Sequence, residues 1–178
     1  TVRRGWLDVL VTLRHFAITT FAVEPEAMRR HLGDGIEPEL FRLRDGSNCA
    51  LVSAVSFLDV GFRLRALPWP RFSFGQTNYR GYVLRDGVRC AWFFRTSLAT
   101  SFVVVPRLLW GMPWRHASMR FDCRWQGERC QRYHHRATGR GVTAELDAEG
   151  GDEPTGVLDG FATAEDTAEY ARISGRYS

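Results

Sequence analysis

The sequence has 178 residues, 44% of them hydrophobic, which is typical of one compact domain, and we expect a single domain over residues 1–178. The net charge is only +4, and all 24 basic residues are scattered arginines, which argues against a nucleic-acid partner and excludes an imine formed by a lysine within these residues. No apolar run approaches the roughly 18 to 20 residues of a membrane span and no signal-peptide pattern begins the sequence, so we expect a cytoplasmic protein without a membrane partner.

Strand and helix patterns alternate along the first third of the chain. Residues from Val9 to Phe21 mix β-branched and aromatic side chains, which predicts a strand. Glu24 to Glu26 opens a short helix that ends at Gly33. Asp45-Gly46 is typical of a hairpin turn, and the apolar stretch from Cys49 to Val60 predicts a mostly buried strand after it.

A hairpin is the clearest signal in the middle of the chain. Asp86-Gly87 separates two strand-like runs, Phe72 to Leu84 and Val88 to Leu98. Because Asp and Gly tolerate the positive φ angles of tight turns, we expect these two strands to pair antiparallel.

The rest of the chain predicts three more strands, two short helices and an exposed loop. The strands are Ala117 to Trp125, Arg129 to Arg136 and Val142 to Leu146, with a turn at Thr138-Gly139; the helices are Ser101 to Trp110 and Thr163 to Arg172; the loop is Asp147 to Pro154. About seven strands with two or three short helices indicate an α+β domain that is mainly antiparallel β.

Several segments resemble a known family. They are Phe74 to Val83, Asp86-Gly87, Trp92 to Phe94, Leu108 to Ala117, and the opening that runs from Trp6 through Phe16 to the helix at Val23 to Leu32. Together these segments resemble the YqjF-like family of uncharacterised proteins, which belongs to the acetoacetate decarboxylase-like superfamily. The resemblance covers residues 5–135. After residue 139 the motifs no longer align, and we expect a shortened or divergent C-terminal part.

The resemblance implies an acetoacetate decarboxylase-like β-barrel with a few short helices around a central cavity for a small-molecule ligand, often in a homo-oligomer. In the decarboxylase, the lysine after Gly-x-Pro performs imine chemistry. Here Gly111-Met112-Pro113 is followed by Trp114, so that mechanism does not carry over. The family's glutamate on the matching strand is replaced by Gln76, whose amide neither gains nor loses a proton near neutral pH.

Polar side chains alternate along the strand that carries this motif. Period-two geometry places Gln76, Asn78, Arg80 and Tyr82 on one face. Facing inward, they would supply two amides, a phenol and a guanidinium suited to a carboxylate. Facing outward, they would form a solvated strand face. The family resemblance favours the inward orientation.

Four further residues are candidates for the same cavity. Arg95 is either a second cation in the pocket or a rim residue whose stem covers apolar surface. Trp114 and Arg115 lie on the turn that delivers catalytic groups in the superfamily, and Trp114 would close the pocket. His116 is the candidate for proton transfer, together with Tyr82, because an imidazole titrates near neutral pH. The alternative for His116 is a structural histidine bound to backbone.

The sequence predicts no metal site and no cofactor. His134 and His135 are adjacent, so on a strand they face opposite sides and cannot bind the same ion. No glycine-rich phosphate loop and no serine-histidine-aspartate signature are present.

Three functions remain open from sequence. The first is a small-molecule-binding protein for a carboxylate or carbonyl compound. The second is a non-imine lyase, isomerase or cyclase acting on a β-keto or polyketide-like substrate. The third, a nucleic-acid or protein-interaction module, is the least supported because the arginines do not cluster.

Overall fold

The computed structural model describes residues 8–66, 69–101, 113–127 and 129–149. These residues form nine strands and one short helix. The elements are β1 (Val9–Val23), α1 (Pro25–Arg29), β2 (Ile36–Pro38), β3 (Phe41–Arg42), β4 (Asn48–Leu64), β5 (Phe72–Arg85), β6 (Val88–Leu98), β7 (Trp114–Gln126), β8 (Arg129–Gly139) and β9 (Val142–Glu149). No helix in this described part is long and apolar enough to cross a membrane.

All seven strands predicted from the sequence are present, as β1 and β4 to β9. The prediction missed β2 and β3, which are too short to show a period and are held by pairing with longer strands: β2 pairs with β5, and β3 with β4. The first helix is shorter than predicted and ends at Arg29. The two other predicted helices, Ser101 to Trp110 and Thr163 to Arg172, lie outside the described residues except for Ser101.

Glycines with positive φ mark two of the turns. Asp86 and Gly87 both have positive φ, 51° and 73°, which confirms the hairpin between β5 and β6. The turn predicted at Thr138-Gly139 is wrong by two residues. Strand β8 continues through Gly139, and the turn is made by Arg140 and by Gly141, whose φ is 75°. The predicted loop also begins too early, because β9 stays paired with β8 as far as Glu149.

The strands follow the order β1-β4-β5-β6-β7-β8-β9. Strands β7 and β8 pair antiparallel, as do β8 and β9. Strands β6 and β7 pair in parallel over three residues, with Thr96 opposite Trp114 and Leu98 opposite His116.

The chain divides into two compact units. Within the described residues, the first unit comprises 8–19, 54–79 and 95–149, and the second comprises 20–53 and 80–94. Strands β1, β4, β5 and β6 each contribute residues to both units.

In the second unit, α1 packs on the sheet through Met28, which is buried against Ala50 and Val83. Gly81 allows this close approach, because a Cβ there would collide with Met28 and would lie 2.9 Å from the ring of Phe94. A separate cluster of this unit contains Phe41, Cys49, Leu51 and Tyr82.

In the first unit, β5 packs closely against β7. A Cβ at Gly75 would lie 2.8 Å from the ring of Phe121 and 3.0 Å from the sulfur of Met119. Glycine is therefore required where these two strands meet, because even one methyl group would displace the neighbouring side chains.

Candidate functional site

Three polar side chains of the first unit are joined by hydrogen bonds. Asn78 Oδ1 accepts one from Gln76 Nε2 at 2.9 Å and another from Thr96 Oγ1 at 2.9 Å. Gln76 and Asn78 are half-buried, and Thr96 is buried. Within the described part of the chain, Gln76 Oε1 and Asn78 Nδ2 have no hydrogen-bond partner. The arrangement leaves Gln76 Oε1 as an acceptor and Asn78 Nδ2 as a donor group for a bound molecule.

Trp114 belongs to the same face of the sheet. It lies opposite Thr96 in the parallel register between β6 and β7, and residues in register point to the same side. The backbone supports this position, since Thr96 N donates to Pro113 O at 3.0 Å. The structure therefore brings Gln76, Asn78 and Trp114, three residues singled out from the sequence, to one face beside Thr96.

A buried carboxyl lies on this face too. Ser56 Oγ and Thr77 Oγ1 are 3.2 Å apart, so these two side chains of the neighbouring strands β4 and β5 lie on one face of the sheet. This face is opposite to the one that carries Gln76 and Asn78. Asp59 lies three residues beyond Ser56, and Gln76 lies beside Thr77, so alternation places both on the face of Asn78.

Asp59 is 4% exposed, and its Oδ2 has no hydrogen-bond partner in the described part of the chain. Burial raises the pKa of this carboxyl from 3.8 to about 6. A carboxyl with this pKa can be either protonated or ionised near neutral pH, as a proton-transferring group requires. Asp59 was not among the site residues predicted from the sequence, although an aspartate inside an otherwise apolar strand is a signal for a functional group.

Arg115 and His116 are both exposed. They continue β7 beyond Trp114, opposite Ser97 and Leu98 of β6. His116, the residue predicted to transfer protons in a cavity, therefore has an exposed position on β7.

Arg95 is engaged by backbone. Its two terminal nitrogens donate to Arg140 O at 3.2 and 3.1 Å, at the turn between β8 and β9. The guanidinium therefore holds this turn between β8 and β9.

Arg80 and Tyr82 lie in the second unit and are 3% and 0% exposed. The guanidinium carbon of Arg80 is 5.7 Å from the centre of the Tyr82 ring. Tyr82 OH is 3.1 Å from Ser53 Oγ, which is 2.7 Å from Thr20 Oγ1. Both side chains are buried, as the inward orientation of this strand face requires. The Tyr82 hydroxyl, however, is already hydrogen-bonded.

A buried histidine of the first unit contacts one hydroxyl and one aromatic ring. His135 is 2% exposed, its Nε2 is 3.3 Å from Thr77 Oγ1, and its ring centre is 4.5 Å from that of Phe121. Burial, with a smaller effect of His134, lowers the pKa of His135 to about 4, so the imidazole is neutral at pH 7.

The neighbouring His134 points to the other face, where its Nδ1 is 3.5 Å from a carboxylate oxygen of Asp147. The prediction that His134 and His135 face opposite sides is confirmed. Among the described residues no group of three or more histidine, cysteine or acidic side chains could hold a metal ion.

A pocket of about 260 Å³ lies elsewhere in the first unit. It is lined by residues of β1, β7, β8 and β9, namely Phe16, Ala17, Ile18, Thr19, Trp125, Cys130, Tyr133, Leu146, Ala148 and Glu149. None of the site residues predicted from the sequence lines it. We place the candidate site instead on the polar face of Gln76, Asn78, Thr96 and Trp114, hereafter the amide face, because its free amide groups can bind a polar ligand.

Comparison with known proteins places the chain in a family. The profile of DUF2071, described as an uncharacterised conserved protein, matches residues 11–177. The chain belongs to the DUF2071 family. The match confirms the resemblance noted from the sequence and continues past residue 139, where the motifs no longer aligned. No curated protein matches the sequence of this DUF2071 chain at a significant level.

Solved structures show the fold. Acetoacetate decarboxylase from Legionella pneumophila subsp. pneumophila is similar with a TM-score of 0.54 at 10% identity, over 79% of this DUF2071 chain and 49% of that chain. The enduracididine biosynthesis enzyme MppR complexed with pyruvate is similar with a TM-score of 0.53 at 15% identity, over 80% and 58% of the two chains.

MppR complexed with the condensation product of pyruvate and imidazole 4-carboxaldehyde gives the same TM-score, 0.53, over 80% and 57% of the two chains. The DUF2071 chain therefore has an acetoacetate decarboxylase-like fold, as the sequence predicted. It spans about half to three-fifths of the length of these solved chains.

Proposed function

We propose that this DUF2071 protein binds a small carboxylate or carbonyl compound at the amide face without forming an imine. The observation that carries the proposal is the pair of hydrogen bonds to Asn78 Oδ1, which fixes both amides. Fixed in this way, Asn78 Nδ2 can donate to a carbonyl or carboxylate oxygen, and Gln76 Oε1 can accept from a hydroxyl. A preorganised pair of this kind lowers the entropic cost of binding.

The ligand class is supported by two further observations. A solved chain of the same fold, MppR, is complexed with pyruvate, which carries both a carboxylate and a carbonyl group. The 178 residues of the DUF2071 chain contain no lysine, and Trp114 follows Gly111-Met112-Pro113. Recognition through amides and an indole therefore replaces covalent capture by a lysine.

The test is proton NMR of pyruvate, acetoacetate, acetone and acetate, each mixed with the purified protein. We expect broadened ligand signals for at least one of these probes and weaker binding in Asn78→Asp. This variant keeps an oxygen to accept from Gln76 and Thr96 but replaces the ligand-directed donor by a second oxygen. Loss of that hydrogen bond should weaken binding roughly tenfold to a hundredfold.

Gln131→Glu, the same amide-to-acid change at an exposed position of β8, is the matched control and should bind as the unaltered protein does. Binding that survives Asn78→Asp unchanged contradicts the amide face as the site. The sequence-based prediction for Arg80 is tested by the same measurement on Arg80→Ala. A loss there, without a loss in Asn78→Asp, would assign the ligand to the second unit.

A second candidate function is a non-imine lyase, isomerase or cyclase for a β-keto or polyketide-like substrate. The observation that favours it is Asp59, a 4% exposed carboxyl on the same face as Gln76. It would transfer the proton that the sequence analysis assigned to His116 or Tyr82. New product signals in the NMR experiment that disappear in Asp59→Asn, while ligand broadening persists, would establish the enzyme. Broadening without products supports a binding protein.

A further inference from the structure

The first residues of β1 are apolar and exposed on both faces of the strand. Val9, Leu10, Val11 and Leu13 are 46%, 38%, 38% and 42% exposed. Side chains alternate along a strand, so the odd-numbered residues point to one face and Leu10 to the other. Exposed apolar edge strands are rare in proteins unless another element of the chain or a second chain covers them.

One backbone edge of this segment is directed away from β4. Asp8 O accepts a hydrogen bond from Arg65 N at 2.8 Å, at the β4 side of the strand. His15 has a positive φ of 51°, so the regular alternation of the strand applies to the residues before it. Because the backbone groups of successive residues point to alternate edges, Val9, Val11 and Leu13 direct theirs outward. Within the described part of the chain no strand pairs with this outer edge.

We propose that the outer edge of Asp8 to Arg14 pairs antiparallel with the same segment of a second copy, with the two-fold axis at Val11. In this register Val9 lies opposite Leu13 of the second copy, and Val11 lies opposite Val11. The outward backbone groups of these odd-numbered residues then meet those of the second copy and complete a hydrogen-bonded ladder.

The charges at the two ends of the segment fit this register. Asp8 lies opposite Arg14 of the second copy, and Arg14 lies opposite its Asp8. These are positions without ladder hydrogen bonds, where opposing side chains are closest. Moving the axis by one residue places Asp8 opposite Thr12 or Phe16, and moving it by two places Asp8 opposite Leu10 or Ile18. Among these registers, only the one centred on Val11 joins opposite charges.

The pairing is closed. Each copy uses the same segment, so a two-fold contact consumes both outer edges and produces a dimer rather than a fibre. The proposal is independent of the amide face, since no residue of that face belongs to the segment.

The test is the molar mass of the full chain by light scattering over a range of concentrations. We expect twice the chain mass for the unaltered protein. Asp8→Arg and Arg14→Asp each place like charges opposite each other twice, and each should weaken dimerisation roughly tenfold or more. The double variant restores opposite charges with their positions exchanged, and its dimerisation should return to within roughly threefold of the unaltered protein.

Arg124→Asp, the same charge change at an exposed position of β7, is the matched control and should leave the dimer intact. A monomer at every concentration, an assembly larger than two copies, or single variants that associate as strongly as Arg124→Asp would each overturn the proposal. A double variant that stays as weak as the single ones would overturn the register.

Discussion

Burial favours the uncharged forms of two ionisable side chains of the first unit. The pKa of the Asp59 carboxyl is raised to about 6, and the pKa of the His135 imidazole is lowered to about 4. Each difference from the ordinary value makes the stability of the fold depend on pH, with opposite signs for the acid and the base.

For Asp59, the folded state binds its proton more tightly than the unfolded state does. The contribution of Asp59 to stability is therefore greatest below pH 4 and is lost as the pH rises through 6. A rise in pKa from 3.8 to about 6 corresponds to roughly 3 kcal/mol at most. We expect Asp59→Asn to be more stable than the unaltered protein by roughly 1 to 3 kcal/mol at pH 7.5, as measured by urea unfolding.

At pH 4 the difference between Asp59→Asn and the unaltered protein should nearly vanish. Asp122→Asn, at an exposed position of β7, is the control and should change stability little at either pH. A destabilised Asp59→Asn at pH 7.5 would mean that the ionised carboxyl has a stabilising partner.

For His135, the unfolded state binds the proton more tightly. Stability is therefore lost as the pH falls from 6.5 towards 4, by up to roughly 3 kcal/mol. His135→Gln keeps a polar partner for Thr77 but cannot titrate, so its unfolding free energy should not show this loss. His31→Gln, at an exposed position, should retain it. Equal pH profiles for His135→Gln and the unaltered protein would contradict this account.

At the scale of elements, the contact between β5 and β7 depends on one glycine. Gly75→Ala places a methyl group against Phe121 and Met119. We expect a loss of roughly 1 to 3 kcal/mol in the free energy of unfolding, because a well-packed core yields only by moving side chains off their preferred rotamers. Gly33→Ala is the control, since its nearest neighbour, Trp92, would be 3.7 Å away. Equal stability of the two variants would show that the contact can relax.

The long strands could be predicted from sequence, because each shows an alternating pattern or an apolar run rich in β-branched and aromatic residues. Strand β2 could not, since its three residues exist as a strand only through their partners at Val83 to Arg85. The turn after β8 was misplaced for a similar reason. Gly139 looked like a turn glycine, but the pairing of Gly139 with Val142 keeps it in the strand.

Part of the candidate site could be predicted in the same way. Alternation on β5 placed Gln76 and Asn78 on one face, and the hydrogen bond between them is consistent with that placement. Asp59 was missed because its proximity to that face depends on the register of β4 against β5, which the sequence does not contain. Arg95 was uncertain because its partner, the carbonyl of Arg140, is 45 residues away along the chain.

At the scale of the whole molecule, Asp59 and His135 partly compensate each other. Between about pH 4 and 6 the loss of stability from one coincides with the gain from the other. The unaltered protein should therefore change little in stability over this interval, and each single variant should expose the slope of the remaining group.

The contacts of His15 set the order in which the fold can be completed during synthesis. Its side chain accepts from Trp125 and its carbonyl from Tyr133, residues that follow it by 110 and 118 positions. At typical elongation rates of roughly 5 to 20 residues per second, His15 leaves the ribosome about 6 to 24 seconds before Tyr133 does. His15 must remain without these partners for that interval, so this part of β1 can reach its native contacts only after β8 has emerged.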